Sequence, residues 1–207
     1  MKKYLVIGNP ISHSLSPQLH NFWMKNNNIH GLYEKKKLNS EELKDLILKI
    51  KKKEIDGINV TVPFKKEVIK NLDLLSLEAE KTQSVNTIFL KDNKLFGHNT
   101  DIEGFQLAIN DTKFPTANKK ILILGAGGVV SSIIFALKEI NVSKIFISNR
   151  TKENAENLKK IFDNLEVFDW GIIPDFDIVI NATSLGLKTD DDMKLDFSNV
   201  GKNKLFF

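Results

Sequence analysis

Short runs of β-branched and apolar residues alternate with segments of helical periodicity along almost the whole chain. Such alternation is typical of βαβ units, in which helices cover a largely parallel sheet. The pattern therefore predicts an α/β fold. The predicted strands lie near residues 4–8, 32–37, 57–62, 86–90, 120–124, 144–148 and 177–181.

Turn and capping residues mark several boundaries of these elements. Ser16 followed by Pro17 predicts the start of a helix, with Ser16 as the N-cap and the proline in the first turn. Asn39, with Glu42 three residues later, resembles a capping box at the start of the next helix. The four residues 91–94, Lys-Asp-Asn-Lys, predict a tight turn between two short strands.

A polar stretch at residues 110–120, which contains Pro115, separates two blocks that each begin their own strand pattern. With 207 residues, of which 42% are hydrophobic, the chain is long enough to build two small cores. We place the domain junction between residues 100 and 118. The predicted domains are residues 1–100 and 101–207.

Composition excludes several classes of protein. The sequence contains no cysteine, which rules out disulfide scaffolds and thiolate metal sites and fits a reducing, cytoplasmic setting. No apolar run is long enough for a signal peptide or a membrane span. The four histidines are scattered without the spacing of metal ligands, so we expect no metal site.

The charge pattern argues against a nucleic-acid partner. The formal charge is +4, but 26 acidic residues are interleaved with 30 basic ones, and the lysine clusters lack interleaved aromatic residues. We interpret these clusters as solvated faces. A mild positive balance still favours small anionic ligands.

The second half contains a strand, a glycine turn and a helix in direct succession. The predicted strand 120–124 runs into Gly125-Ala126-Gly127-Gly128, and a helical pattern begins at Val129. This arrangement lets a dinucleotide pyrophosphate approach the backbone at a helix N-terminus. Val130 stands where the third glycine of the G-x-G-x-x-G motif is expected, so a purely structural turn remains an alternative at this point.

The next two strand ends add to the case for a nucleotide site. The strand 144–148 is followed by Asn149-Arg150-Thr151, with no carboxylate where an NAD site usually carries one. Arg150 is the one arginine among 30 basic residues, and a guanidinium binds a 2′-phosphate through paired hydrogen bonds. The sequence therefore favours NADP over NAD, with a surface arginine as the alternative. Ala182-Thr183-Ser184 follows a further strand, at the end where such sheets bind ligands.

Four polar clusters lie at predicted strand ends or loops of the first half. They are residues 12–17 (Ser-His-Ser-Leu-Ser-Pro), 59–65 (Asn-Val-Thr-Val-Pro-Phe-Lys), 84–87 (Ser-Val-Asn-Thr) and 97–101 (Gly-His-Asn-Thr-Asp). With these clusters the chain resembles the shikimate dehydrogenase family over its whole length. The shared motifs occur in the family's order: S-x-S-P, N-V-T-V-P-x-K, V-N-T, N-T-D, G-A-G-G, N-R-T and N-A-T-S-x-G.

The resemblance implies an oxidoreductase that reversibly reduces 3-dehydroshikimate to shikimate with NADPH, in the pathway to chorismate and the aromatic amino acids. It implies an N-terminal α/β substrate-binding domain and a Rossmann-like, doubly wound NADP-binding domain. Ser14 and Ser16 would then hold the substrate carboxylate, although Ser16 taken alone is better explained as a helix cap. Thr61, Asn86 and Asp101 would bind the ring hydroxyls.

Lys65 and Asp101 are the pair to which the resemblance assigns the chemistry. Lys65 would donate the proton during reduction and accept it in the reverse direction. The cofactor would be held by residues of three turns. They are Gly125, Ala126, Gly127, Gly128, Val129, Asn149, Arg150, Thr151, Lys152, Ala182, Thr183 and Ser184.

Two departures from the family pattern leave alternatives open. Position 154 is Asn154, where the family commonly carries a second basic residue, and Lys152 is the expected substitute. A quinate/shikimate dehydrogenase that tolerates NAD is therefore an alternative.

The second departure is at the end of the chain, where residues 204–207 resemble the opening of a strand and family members continue. We accordingly expect a nucleotide domain truncated at its C-terminus and a poor catalyst. A non-catalytic form that binds shikimate or nucleotide is the alternative, and a homodimer is compatible with the sequence.

Overall fold

The chain forms two compact α/β units, Met1–Thr100 and Asp101–Phe207, each built around its own sheet. They are seen in a computed structural model that describes residues 1–186 and 190–207. The predicted α/β class is confirmed. None of the described helices is long and apolar enough to cross a membrane.

The first unit contains a six-stranded mixed sheet. Its strands are β1 (Lys2–Gly8), β2 (Gly31–Lys37), β3 (Gly57–Val60), β4 (Leu74–Leu75), β5 (Thr87–Lys91) and β6 (Lys94–His98). The order across the sheet is β2-β1-β3-β5-β6-β4. β1 runs parallel to β2 and β3, whereas β5 is antiparallel to both of its neighbours. The α-helices are α1 (Ser16–Asn26), α2 (Leu43–Lys51) and α3 (Leu77–Thr82), with 3-10 turns at Ser40–Glu42 and Glu67–Asn71.

Side chains at helical spacing on α2 form much of the core of this unit. Leu43, Leu46, Ile47 and Ile50 are each at most 3% exposed and pack into one cluster with the apolar residues of the sheet. A helix whose apolar residues recur every three to four positions buries one face in this way. The prediction that this face belongs to the core is confirmed.

Of the three predicted caps and turns, two are confirmed and one is wrong. The capping box is present, because the Asn39 N–H donates to Glu42 Oε2 at 2.8 Å. Asp92 and Asn93 both adopt positive φ angles, as a two-residue hairpin turn between β5 and β6 requires.

The prediction of Ser16 as the N-cap of α1 is wrong, because the helix is preceded by Leu15, which already has helical backbone angles. The Ser16 N–H instead donates to Ser14 Oγ at 3.3 Å. The structure therefore does not use the Ser16 hydroxyl as a helix cap.

The second unit contains a five-stranded parallel sheet. Its strands are β7 (Lys120–Leu124), β8 (Lys144–Ser148), β9 (Leu165–Phe168), β10 (Ile178–Asn181) and β11 (Leu205–Phe206), in the order β11-β10-β7-β8-β9. The helices are α4 (Asp101–Asp111), α5 (Val130–Glu139) and α6 (Lys152–Lys159). A parallel sheet buries both of its faces, and Ile121, Leu122 and Ile123 of β7 are fully buried.

Two short strands were not predicted from the sequence. β4 has only two residues, and β9 places an exposed Glu166 among apolar neighbours at the edge of its sheet. Two residues are too few to show a period, and the charged Glu166 interrupts the apolar run of β9. Each becomes a strand because a neighbour, β6 or β8, supplies the main-chain hydrogen bonds.

We expect Ile134→Ala to lower the free energy of unfolding by about 2–5 kcal/mol, because it leaves a cavity in a well-packed core. Ile134 lies on α5 and is fully buried in the cluster between that helix and the sheet. Leu107→Ala, at a helical position that is 65% exposed, is the matched control and should change stability by less than about 0.5 kcal/mol. Urea denaturation followed by circular dichroism measures both; equal losses would contradict the assigned core.

Candidate functional site

The polar motifs of the first unit lie at one edge of its sheet. β1 and β3 are parallel and end together, with Ile7 opposite Val60. β5 runs the other way, so its first residue, Thr87, lies beside the end of β3 and opposite His98, the last residue of β6. Strand direction alone therefore brings together four segments that are up to 85 residues apart in the chain, from residue 14 to residue 99.

Main-chain hydrogen bonds hold the loops at this edge. The Val85 N–H donates to the carbonyl oxygen of Lys65 at 2.8 Å, and the Asn86 N–H donates to that of His98 at 3.0 Å. Lys65 is half-buried and follows Phe64, whose ring is 2% exposed. Lys65, the predicted acid–base residue, thus lies in a turn that is held by the hydrogen bond from Val85 and by the buried Phe64 beside it.

Ser14 lies in the loop after β1, Ser16 is the first residue of α1, and both are half-buried. The 3.3 Å bond between the Ser16 N–H and Ser14 Oγ keeps the two residues adjacent. Thr61, which follows β3, is half-buried, and its N–H donates to the Ile7 carbonyl at 2.9 Å. Hydroxyl groups of three predicted substrate residues are therefore available at the ends of neighbouring strands.

Asn86 is the most enclosed of the predicted substrate residues, with 8% exposure. Its Oδ1 accepts from the Thr100 N–H and from the Thr87 hydroxyl, each at 3.0 Å. Asp101, in the second unit, is the first residue of α4 and is half-buried. The first turn of a helix favours a carboxylate there.

The three predicted cofactor turns of the second unit also share one sheet edge. β7, β8 and β10 are parallel neighbours, and the turns follow their carboxyl ends. The Gly125 N–H donates to the Ser148 carbonyl and the Ala182 N–H donates to the Leu124 carbonyl, both at 2.8 Å. In open α/β sheets, this end is where ligands bind.

A cavity of about 700 Å³ opens at this edge, within the size range of small-molecule and cofactor sites. Eight of the twelve predicted cofactor residues line it. They are Gly125, Ala126, Gly127, Asn149, Arg150, Ala182, Thr183 and Ser184. The other four predicted residues, Gly128, Val129, Thr151 and Lys152, are not among those that line it.

The glycine turn leaves space in which a ligand can approach the protein backbone. Gly125 has a φ of +108°, and an added Cβ would lie 2.8 Å from the Ala182 carbonyl oxygen, so only glycine fits there. An added Cβ on Gly127 or Gly128 would meet nothing within 4 Å, which leaves open space before the start of α5. Val130, at the third glycine position, is fully buried in the core and does not narrow this space.

The polar turn after β10 is held by its own side chains. Asn181 Oδ1 accepts from the Thr183 N–H at 3.0 Å, and Asn181 Nδ2 donates to the Leu185 carbonyl at 2.9 Å. The Thr183 hydroxyl donates to the same Oδ1 at 2.7 Å and accepts from the Leu185 N–H at 3.0 Å, and Thr183 and Ser184 line the cavity. In the N-A-T-S pattern, Asn181 and Thr183 thus shape the turn, and Ala182, Thr183 and Ser184 line the cavity.

The structure separates Lys152 from Arg150. Lys152 Nζ lies 2.8 Å from Asp169 Oδ1, and this hydrogen bond raises the pKa of the lysine. Asn154, not Lys152, lines the cavity together with Arg150. Sequence analysis missed Trp170, Met193 and Lys194, which also line it and belong to segments without a recognisable motif.

Among the residues that the structure describes, no group of three or more His, Asp and Glu side chains is placed to hold a metal ion. The two sheet edges offer hydroxyl, amide, ammonium, guanidinium and carboxylate groups. Hydroxyls and amides at one edge of the first unit suit a polyol. A glycine turn with a nearby guanidinium in the second unit suits a phosphorylated dinucleotide.

Comparison with known families gives two matches along the chain. Residues 6–88 match the shikimate dehydrogenase substrate binding domain, and residues 107–191 match the family described as shikimate / quinate 5-dehydrogenase. Among curated proteins, the shikimate dehydrogenase (NADP(+)) of Pelagibacter ubique (strain HTCC1062) is 55% identical over 206 residues, covering 100% of this chain and 78% of the relative. That of Clostridium beijerinckii is 38% identical over 196 residues, covering 92% and 72%.

Solved structures show the same similarity. Shikimate dehydrogenase from Aquifex aeolicus superposes with a TM-score of 0.91 at 36% identity, covering 100% of this chain and 77% of the other. Shikimate 5-dehydrogenase from Thermus thermophilus, solved in complex with NADP(H) and shikimate, gives a TM-score of 0.81 at 33% identity, covering 90% and 70%.

We expect Gly125→Ala to destabilise the second unit by about 1–3 kcal/mol, because the new Cβ meets a carbonyl oxygen at a strained φ. Gly127→Ala is the matched control, and its effect should stay below about 1 kcal/mol because its Cβ enters open space. Thermal unfolding of the two variants measures the difference. Similar losses in both would contradict the close approach of the turn to Ala182.

Proposed function

Because the chain belongs to the shikimate dehydrogenase family, we propose that it catalyses the reversible reduction of 3-dehydroshikimate to shikimate with NADPH. This reaction is a step towards chorismate and the aromatic amino acids. The observation that carries the proposal is the match over the full length of this chain to a curated NADP-dependent shikimate dehydrogenase. The motif residues collected at one edge of each sheet agree with it.

The substrate is a small polyol carboxylate, and the edge of the first unit offers matching groups. We assign Ser14 and Ser16 to the carboxylate, supported by their adjacency and by the Ser16 hydroxyl, which does not cap α1. Thr61, Asn86 and Asp101 are assigned to the ring hydroxyls. Hydroxyl and amide donors of this kind bind a carboxylate or polyol through several convergent hydrogen bonds.

The cofactor assignment is supported by the shape of the second unit. The open space at Gly127 and Gly128 fits a pyrophosphate at the start of α5, and Arg150 at the cavity wall fits a 2′-phosphate. When bound, NADPH supplies the hydride that reduces the C3 ketone. The protein's own part in the second unit is to hold the phosphates and to position the nicotinamide.

We assign the proton transfer of this reaction to side chains of the protein. Lys65 would donate a proton from Nζ to the C3 oxygen during reduction, and its neutral amine would take the proton back during oxidation. Asp101 would orient the ammonium and bind a ring hydroxyl. The anchored turn at Phe64 and Val85 supports this role, because a general acid must be held at a defined position.

We expect the purified chain to form NADPH from NADP and shikimate, measured by absorbance, and Lys65→Ala to be slower by a factor of about 100 or more. Shikimate should still bind to Lys65→Ala in calorimetry, because the carboxylate and hydroxyl contacts remain. Near wild-type turnover of this variant would refute the assignment of Lys65. Binding of shikimate by the wild-type chain without any turnover would instead identify a binding protein.

We expect Arg150→Ala to weaken NADP binding about tenfold or more, because a charge-assisted hydrogen bond to the 2′-phosphate is lost, and to leave NAD binding nearly unchanged. Lys152→Ala is the matched control, since Lys152 pairs with Asp169 and does not line the cavity. It should change NADP binding by less than about twofold. Equal effects of the two substitutions would contradict the assignment.

The same titrations, run with NAD and with quinate, separate the proposed enzyme from a quinate/shikimate dehydrogenase that tolerates NAD. Asn154 at the cavity wall motivates the comparison, because an amide is a weaker phosphate ligand than a cation. A solved shikimate 5-dehydrogenase from Listeria monocytogenes, 31% identical, was obtained in complex with shikimate and NAD.

We also propose a cytoplasmic location, which the absence of cysteine from the sequence supports. Association as a homodimer is a separate proposal. Sedimentation equilibrium of the purified chain distinguishes a dimer from a monomer.

A further inference from the structure

We propose that the indole ring of Trp170 is the surface on which the adenine base of the cofactor stacks. Trp170 belongs to the second unit and directly follows the strand β9 and Asp169. None of the motifs recognised in the sequence includes it. The identity of the ligand rests on the proposed function, whereas the position of Trp170 rests on the contacts described below.

Trp170 is the second residue of a tight turn. The Ile172 N–H donates to the Asp169 carbonyl oxygen at 3.1 Å, which closes a turn over residues 169–172. Gly171, the third residue of this turn, has a φ of +100°, a conformation that favours glycine. The main chain therefore holds Trp170 at a defined position at the carboxyl end of β9.

Two contacts join this turn to the segment that carries Arg150. The Asp169 carbonyl oxygen accepts from the Ser148 hydroxyl at 3.3 Å, and Asp169 Oδ1 lies 2.8 Å from Lys152 Nζ. Ser148 is buried, whereas the pair between Lys152 and Asp169 is exposed and contributes little by itself. Because Ser148 and Lys152 lie on either side of Arg150 in the chain, the turn that contains Trp170 lies beside the turn that contains Arg150.

Trp170 contacts both the hydrophobic core and the cavity. It is half-buried and lines the cavity of about 700 Å³ together with Arg150. Among the described residues that line this cavity, Trp170 is the one aromatic side chain. Packing against the core keeps the indole in place while a ligand contacts it from the cavity. The buried residues against which it packs are Leu122, Leu124, Phe146, Phe176 and Val179.

The layout of the sheet places adenine on this side of the cavity. In a doubly wound sheet the pyrophosphate lies at the glycine turn, here after β7, and the ribose 2′ position lies at the end of the next strand, here β8. β9 is the other neighbour of β8. Adenine is joined to the ribose carbon next to the one that carries the 2′-phosphate. A 2′-phosphate held by Arg150 therefore brings the base towards Trp170.

Stacking on an aromatic ring suits a purine, because both partners are flat and apolar on their faces. Such stacking contributes a factor of about five to 100 in affinity for each base. Adenine is common to NADP and NAD, so Trp170 contributes equally to the binding of both. Arg150 acts on the 2′-phosphate and so distinguishes between them. The two neighbouring turns thus divide cofactor binding into affinity, from Trp170, and selection, from Arg150.

The first test measures binding of 2′,5′-ADP, the adenosine part of NADP, to the full chain by calorimetry. Trp170→Leu keeps an apolar side chain beside the core but removes the ring, and it should weaken binding about tenfold. Trp170→Phe keeps a smaller ring and should weaken binding about threefold. In Trp170→Leu, the affinities for NADP and for NAD should fall by equal factors. Shikimate binding should not change, and circular dichroism checks that each variant is folded.

Tryptophan emission gives a second readout, because the chain contains only two tryptophans, Trp23 and Trp170. An adenine stacked on an indole ring quenches its emission. We expect 2′,5′-ADP to lower the emission of the wild-type chain and to leave that of Trp170→Phe unchanged. Trp23→Phe, on α1 of the first unit, is the matched control and should keep the quenching. Because 2′,5′-ADP has no nicotinamide, the signal reports the adenosine part alone.

Wild-type affinity for 2′,5′-ADP in both Trp170 variants would overturn the stacking, as would quenching that persists in Trp170→Phe. A larger loss of affinity for NADP than for NAD would also overturn it, because Trp170 would then act on the phosphate. If Trp170→Leu does not fold, the affinity and emission of Trp170→Phe decide. A wild-type chain that binds neither 2′,5′-ADP nor NADP would overturn the proposed cofactor, and the stacking with it.

Discussion

Main-chain pairing between neighbouring strands is the constraint on which both candidate sites depend. In each sheet, strand direction and register decide which loops emerge at the same edge. In the first unit this sets Val60 beside Asn86, whose carbonyl accepts from the Val60 N–H, and in the second it sets Gly125 beside Ala182. Because backbone hydrogen bonds are nearly all satisfied in a folded core, a slip of register would cost many bonds at once.

Burial makes that pairing rigid enough to position side chains. β7 is covered on both faces and its central residues are fully buried, so the glycine turn that follows it starts from a fixed point. In the first unit, polar side chains joined by hydrogen bonds hold the end of the strand in place. Asn59 is half-buried and hydrogen-bonded to Tyr33, Thr87 and the Asn86 carbonyl, and a satisfied polar network of this kind favours one arrangement.

Much of the fold was predictable from local patterns. Seven predicted strands and the apolar face of α2 appear where periodicity placed them, and the glycine turn follows its strand directly. β4 was missed because two residues show no period, and β9 was missed because the charged Glu166 interrupts its apolar run. The helix cap at Ser16 was wrong because Leu15 already has helical backbone angles, a choice that the residue types alone do not reveal. Lys194 and Trp170 were missed because they reach the cavity only through the fold.

The α/β class and the family could be read from the amino-acid sequence, because they follow from periodicity, from glycine and proline and from the order of short motifs. Which groups face a ligand depends instead on tertiary packing. Packing paired Lys152 with Asp169, and it joined the Tyr33 hydroxyl on β2 to Asn59 Oδ1 on β3. Such choices depend on distances between residues remote in sequence, which no local pattern encodes.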